Sequence, residues 1–147
     1  MRLVRRAYVA AAIVWLVALP AGAFAATREH ASTLVHAVAF TIYSLGSLVC
    51  HQRPERSFHL WSAQLPVCAR CTGVYFGAAA AVVARAGRAA SAGGAGTARR
   101  AVALALAPTV VTLAYEWTTG DMPSNGVRFA AGLPLGAVVS WLVLRVN

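Results

Sequence analysis

Three cysteines and a histidine form the clearest candidate site for chemistry in the sequence. Cys50 is followed directly by His51, and sixteen residues then separate His51 from the motif Cys68-Ala69-Arg70-Cys71. If Pro66 begins a helix, Cys68 and Cys71 lie one turn apart on one face, where the helix dipole favours ionised thiols. Three cysteines and one histidine suit zinc or another thiophilic metal.

Other uses of these residues stay open. Adjacent side chains point in different directions, so His59 can substitute for His51 as the fourth ligand. In a second interpretation Cys68 and Cys71 form a redox pair that works with a lipid quinone, and Cys50 is a resolving thiol or takes no part. In a third, one disulfide staples a structural accessory subunit.

A shared metal ion sets limits on the positions of the three cysteines. It requires their sulfurs to lie within about 4 Å of one another, because zinc–sulfur bonds are about 2.3 Å long. A distance above about 10 Å from Cys50 to the other two would exclude one ion.

A second set of polar residues is expected to support this site. Arg70, Glu116 and Arg128 occur at similar depth near the ends of apolar runs, so Glu116 can bridge the two arginines. The alternative is that each of the three side chains extends separately to the membrane–water interface. Because Arg70 opposes a bound cation, we expect it to point toward Glu116. Arg56 and Asn125 complete the supporting set.

The composition indicates one small membrane domain. The chain has 147 residues, of which 59% are hydrophobic and 12% are charged, whereas soluble domains have about 25% charged residues. These values exclude a disordered chain. All thirteen basic residues are arginines, and most flank apolar runs, as membrane topology signals do. The net charge of +9 therefore does not indicate a nucleic-acid-binding protein.

The elements that must position these residues are four predicted transmembrane helices in an all-α bundle. The apolar runs cover residues 7–26, 66–84, 101–119 and 127–144. The first run also has the composition of a cleavable signal peptide.

The segment 32–49 is read as an amphipathic or re-entrant helix on the outer face, with a fifth span as the alternative. A flexible linker is predicted at residues 86–100. The arginine distribution then predicts a multi-pass protein of the bacterial plasma membrane, with both termini and the linker in the cytoplasm.

Two glycine pairs indicate close packing between helices. Gly73 and Gly77 share one helix face, as do Gly132 and Gly136. The expected partner is the lipid bilayer, and the glycine pairs offer a contact within the bundle or between copies of the chain. No protein partner can be named from the sequence.

Several of these motifs together resemble a prokaryotic integral-membrane family of unknown function, domain of unknown function 2085. The resemblance is carried by Cys50-His51-Gln52, by Pro54-Glu55-Arg56-Ser57-Phe58 and by Pro66-Val67-Cys68-Ala69-Arg70-Cys71-Thr72-Gly73-Val74-Tyr75. Asn125-Gly126-Val127-Arg128, followed by Gly132 and Gly136, resembles its C-terminal pattern, whereas Glu116-Trp117 replaces an expected Asp-Gly pair. The family brings no established activity.

A looser likeness is to quinone-linked disulfide-forming membrane proteins. It covers the four-helix topology and the Cys68–Cys71 spacing, and it implies a quinone as cofactor. The chain lacks the second cysteine pair that those proteins use.

Overall fold

A computed structural model describes residues 2–85 and 94–145, which are mostly helical. The helices are α1 (Arg2–Ala26), α2 (Thr33–Ser47), α3 (Ala69–Ala84), α4 (Ala95–Thr119) and α5 (Asn125–Arg145). Between α2 and α3 lie a 3-10 turn (Pro54–Arg56) and a hairpin of two short antiparallel strands, β1 (His59–Leu60) and β2 (Ala63–Gln64).

Three of the described helices are long and apolar enough to cross a membrane. They cover Leu3–Ala26, Ala95–Thr119 and Asn125–Arg145, which are α1, α4 and α5. The other two, α2 and α3, are shorter apolar helices of 15 and 16 residues. The prediction of a largely helical membrane protein is therefore confirmed.

The helix boundaries differ from the predicted ones at two points that matter for the site. Helix α3 begins at Ala69 rather than Pro66, because Cys68 has extended backbone angles and occupies the N-cap position. Of the predicted linker 86–100, residues 86–93 lie outside the described residues, whereas residues 95–100 form the first turns of α4.

Glycines allow α3 and α5 to pack with their backbones in contact. A Cβ at Gly73 or Gly77 would lie 2.1 Å from a carbonyl oxygen of α5, and a Cβ at Gly136 would lie 1.8 Å from the carbonyl oxygen of Val74. A Cβ at Gly132 would likewise lie too close to the carbonyl oxygen of Arg70. The glycine faces of both pairs are therefore occupied by contacts between α3 and α5 of the same chain, as predicted for packing between helices. A contact between copies through these faces would require α3 and α5 to separate.

The contacts also fix the relative directions of the helices that surround α3. Gly73 meets Phe129 and Gly77 meets Leu133, so α3 and α5 run parallel. Helix α1 is antiparallel to α3, because Leu19 packs with Val67 whereas the ring of Trp15 lies 5.9 Å from that of Tyr75.

Helix α4 runs antiparallel to α5. Thr109 donates a hydrogen bond of 2.9 Å to the carbonyl oxygen of Ala131, and Glu116, further along α4, contacts Arg128, which is earlier in α5. The starts of α1 and α4 and the ends of α3 and α5 consequently lie at one end of the bundle. The opposite end carries the cysteines and is called the cysteine end below.

Helix α2 packs against α1 and leaves most of its apolar face uncovered. Ile42 is buried, and a Cβ at Gly22 of α1 would lie 3.0 Å from it. By contrast Leu34, Phe40 and Leu48 are more than two-thirds exposed. The apolar surface of α2 is therefore available to a partner outside the chain.

Candidate metal centre

The structure brings the three predicted cysteines together at the start of α3. Cys50 follows α2, Cys68 is the N-cap of α3, and Cys71 lies in its first turn. Their sulfur atoms all lie within 4.8 Å of one another, and all three are free thiols. This spacing is slightly wider than the separation of about 4 Å around a zinc ion, and far below the limit of about 10 Å for a shared ion.

The chain between α2 and α3 holds Cys50 in place through Gly46 and Gln52. The backbone amide of Cys50 donates a hydrogen bond to the carbonyl oxygen of Gly46. Gly46 itself packs closely on Pro66, because a Cβ added to Gly46 would lie 2.4 Å from the carbonyl oxygen of Pro66. The Gln52 side-chain amide donates to the carbonyl oxygens of Tyr43 at 2.7 Å and Pro66 at 2.6 Å. Gln52 thus ties the end of α2 to the residues that lead into α3.

Cys68 connects the other two cysteines. Its backbone amide donates to the Cys50 sulfur at 3.1 Å. Cys68 lies before the first residue of α3, and a hydrogen bond from the Cys71 thiol lowers the pKa of its thiol to about 5. Buried Leu19 and Val67 pack beside these cysteines and shield them from one side. The three sulfurs therefore form a compact set in which a thiolate is already stabilised.

Neither predicted histidine joins the sulfurs. Among the described residues, the group of candidate ligand atoms within 4.8 Å contains the three cysteines alone. His51 is exposed and borders a cleft beside them, whereas His59 is exposed on β1 and does not line that cleft. The arrangement thus offers three protein ligands, and a fourth would have to come from the cleft.

The cleft beside the cysteines has a volume of about 350 Å³. Its wall contains all three cysteines together with Arg53, Arg56 and Arg70. Val49, His51 and Gln52 complete the lining, so that no carboxylate belongs to it in the described part of the chain. Any small molecule that reaches the sulfurs from this side meets a positively charged wall.

Three arginines surround one buried carboxylate next to the cleft. Glu116 Oε1 lies 3.0 Å from Arg128 Nη2 and 3.1 Å from Arg70 Nη2, as the sequence predicted, and Arg56 Nη1 lies 3.7 Å from Oε2. Arg70 also donates to the hydroxyl of Thr112 at 3.1 Å. The guanidinium of Arg70 thus points toward Glu116, which joins α3, α4 and α5 at the cysteine end.

Asn125 positions the loop that carries Arg56. Its side-chain amide donates to the carbonyl oxygen of Ser57 at 3.0 Å. Ser57 is almost fully buried, and its hydroxyl donates to the carbonyl oxygen of Arg53 at 2.9 Å. This pair fixes the 3-10 turn against the first residue of α5.

Several residues that shape the site were not among the predicted ones. The connecting loop is held by hydrogen bonds of Gln52, Gln64 and Tyr43 and by the close packing of Gly46. Arg70 is held by a hydrogen bond to Thr112. Gln52 and Gln64 are uncharged polar residues in a strongly apolar chain, and this is the signal that could have identified them.

Comparison with known proteins decides the family. The DUF2085 family, whose description is predicted membrane protein, matches residues 50–142. The chain belongs to this family. The match begins at Cys50, and it includes Cys68, Cys71 and Glu116. The DUF2085 signature in the sequence thus coincides with the site in the structure.

The curated relatives with matching segments are archaeal. An uncharacterized protein of Methanocaldococcus jannaschii is 45% identical over 40 residues, which cover 27% of this chain and 26% of the relative. An uncharacterized protein of Methanothermobacter thermautotrophicus is 53% identical over 30 residues, which cover 20% of this chain and 27% of the relative. The matches thus span about a quarter of each relative's length. No solved structure matches the chain.

Proposed function

We propose that this membrane protein binds a thiophilic metal ion through Cys50, Cys68 and Cys71. The observation that carries the proposal is the approach of their three sulfurs to within 4.8 Å. Thiolates select soft or borderline ions such as Zn²⁺ and Cu⁺. Zinc sites with three protein ligands keep a fourth position for water or substrate, and such open sites support exchange or catalysis rather than a purely structural role.

The proposed topology has four spans, α1, α3, α4 and α5, with α2 along the outer face of a prokaryotic plasma membrane. It is supported by the helix directions, which place Arg5, Arg85, Arg99, Arg100 and Arg145 at the end opposite the cysteines. Of the arginines at the cysteine end, Arg56, Arg70 and Arg128 are paired with Glu116. Because arginines favour the cytoplasmic side, both termini are inside and the cysteine end faces outward. The exposed apolar face of α2 then contacts lipid.

The length of α3 sets the depth of the site in this arrangement. Its 16 residues span about 24 Å at about 1.5 Å per residue, less than the hydrocarbon thickness of about 30 Å. The start of α3 would therefore lie at the level of the lipid headgroups or slightly below them. Metal ions would reach the cysteines through the cleft on the outer side.

Metal analysis of the purified protein tests the proposal. The reduced protein in detergent is incubated with Zn²⁺, passed through a desalting column, and analysed for metal and for free thiols. We expect about one tightly held ion per chain, and loss of that ion in Cys68→Ser. His59→Ala, which removes an exposed histidine away from the cleft, is the matched control and should retain it.

Cobalt substitution provides a second readout of the ligands. Tetrahedral Co²⁺ bound by thiolates gives an intense sulfur-to-metal charge-transfer band, which reports how many cysteines bind. A protein that retains no more Zn²⁺ than a variant with all three cysteines changed to serine would contradict the proposal.

One observation favours a second function, that of a thiol–disulfide oxidoreductase. An apolar cavity of about 330 Å³ lies between α1, α3 and α5. Its wall includes Trp15 and Tyr75, which, like Cys71, pack against the buried cluster of Leu19, Cys50 and Val67. The Trp15 indole nitrogen is buried there beside the Tyr75 side chain. This cavity could hold the ring of a lipid quinone, whose carbonyl oxygen would accept a hydrogen bond from the indole.

In that reaction the thiols of Cys68 and Cys71 would form a disulfide. Their two electrons and two protons would pass to the quinone and give the quinol. Cys71→Ser should abolish quinone reduction by the reduced protein, whereas His51→Ala should not change it. Quinone reduction that survives in Cys71→Ser would reject this function.

A further inference from the structure

The charge around Glu116 is not balanced. Arg56, Arg70 and Arg128 share this one carboxylate, which leaves an excess of two positive charges among these four groups. A thiolate at Cys68, in the same cleft, offsets one of them and leaves one. The side chains of Arg128 and Arg70 are only 2% and 18% exposed, so water compensates little of their charge, whereas Arg56 is 37% exposed and partly solvated. Buried charges without a counter-charge are costly, so the excess indicates that an anion belongs to the site.

Two unused donors belong to arginines that line the cleft. Arg56 Nε and Arg70 Nε are buried and have no hydrogen-bond partner. Both arginines line the cleft in front of the cysteines. The N-terminal turn of α3 meets the same cleft at Cys68, whose sulfur accepts from the backbone amides of Arg70 and Cys71. Guanidinium donors and the positive end of a helix thus meet at one volume that is large enough for a small ligand.

We propose that this cleft binds a phosphate group on Arg56 and Arg70, beside the three cysteines. Phosphate fits better than a carboxylate, because its several oxygens can accept from donors that arrive from different directions. Its negative charge also offsets the positive charge of the cluster, by one charge for a phosphodiester headgroup and by up to two for inorganic phosphate. A phosphate group can come from the headgroup of an anionic phospholipid or from inorganic phosphate in solution, and the two sources share this chemistry.

The phosphate site does not depend on the metal ion. A zinc ion held by three thiolates carries one net negative charge, so the arginine cluster would still hold one positive charge in excess. The site can therefore be tested in metal-free protein with reduced thiols. Failure of phosphate binding would leave the metal proposal intact, and failure of metal binding would leave this one intact.

Thermal unfolding of the metal-free protein in a neutral detergent tests the site. The unfolding temperature is followed by tryptophan fluorescence in two series. One contains increasing inorganic phosphate, and the other contains mixed micelles with increasing phosphatidylglycerol. Sodium chloride of equal ionic strength and diacylglycerol, which lacks phosphate, serve as the respective references. A ligand that binds the folded state raises the unfolding temperature in a saturable way.

We expect a saturable rise in at least one series, and the series that responds identifies the source of the phosphate. Arg56→Gln should weaken the apparent affinity by about tenfold to a hundredfold, the effect of losing one charged hydrogen-bond donor. Arg28→Gln removes an exposed arginine that stacks on Phe24 at the same end of the bundle, and it should leave the affinity unchanged.

Two results would overturn the phosphate site. The first is the absence of a saturable rise over the references in both series with the wild-type protein, which needs no variant. The second is an equal response in Arg56→Gln and wild type.

Discussion

The carboxylate of Glu116 and the guanidinium of Arg128 form a buried ion pair across α4 and α5. Their closest atoms are 3.0 Å apart, and their side chains are 5% and 2% exposed. A buried pair of this kind is offset by the cost of removing both charges from water, so it adds little net stability. It does fix the register of the two helices, because a shift by one residue would move the buried Arg128 away from the carboxylate.

Removal of the carboxylate is therefore expected to be far more costly than the pair is favourable. In Glu116→Gln three guanidinium groups would face one another, and we expect the free energy of unfolding to fall by about 3–5 kcal/mol. Unfolding in detergent followed by circular dichroism measures this. The control is Glu55→Gln, which removes a carboxylate that is 45% exposed and 3.9 Å from Arg53. This change should lower the free energy of unfolding by at most about 1 kcal/mol. Equal stability of the two variants would contradict the assigned role of Glu116.

Close packing of α3 on α5 makes a second prediction. Gly136→Ala places a methyl group where the Val74 carbonyl oxygen lies, so α5 must move away from α3. We expect a loss of about 1–3 kcal/mol in the free energy of unfolding. Gly96→Ala, in α4 with open space around the new methyl group, should instead stabilise the protein by about 0.5–1 kcal/mol. A neutral Gly136→Ala would show that the helices are not in backbone contact.

The role of Gln52 makes a third prediction, which separates positioning from direct ligation. Gln52→Leu removes the donor to the carbonyl oxygens of Tyr43 and Pro66. Two partly buried acceptors would then lose this donor, so the free energy of unfolding should fall by about 1–3 kcal/mol.

The metal affinity of Gln52→Leu should fall by about 10–100-fold, as for other residues that orient ligands, while the stoichiometry stays unchanged. Ser47→Ala, an exposed residue whose hydroxyl bonds only within α2, is the control and should leave the affinity unaltered. Loss of the metal altogether would mean that Gln52 does more than position Cys50 and Cys68.

The proposed topology makes a fourth prediction. A reporter enzyme that is active only outside the cytoplasm should be active when fused after Asp121, between α4 and α5, because this position lies at the cysteine end. The same reporter fused after Gly94, before α4, should be inactive. The opposite pattern would place the cysteines on the cytoplasmic side and contradict metal binding from the outer side.

The convergence of the cysteines and the bridging by Glu116 were predictable because they depend on local spacing and on the cost of isolated charge in lipid. Cys68 and Cys71 are one helical turn apart, and Glu116 must meet a cation at its own depth. The backbone of the connecting loop was not predictable in this way. Gln52, Trp61 and Ser62 adopt left-handed backbone angles that are uncommon for residues other than glycine. Tertiary contacts, rather than their own preferences, impose those angles.

The expected histidine ligand shows a different limit of sequence reasoning. His51 is next to Cys50 in the chain, and this proximity suggested a shared ion. Neighbouring residues in an extended loop point to opposite sides, and His51 is exposed, whereas Cys50 is buried. The sequence contains the residue types of a zinc site, but their directions depend on a loop conformation that only the fold determines.

The parallel pairing of α3 with α5 has a consequence for the biosynthesis of the protein. A chain emerging from the ribosome delivers α3 to the membrane before the partner of its glycine face has been synthesised. In the proposed four-span topology, that face meets lipid until α5 is inserted, and Arg70 has no complete set of neighbours. The arginine cluster therefore closes only when α5 is present. A nascent chain arrested before α5 would lack Arg128 and the backbone contacts of the α3 glycines.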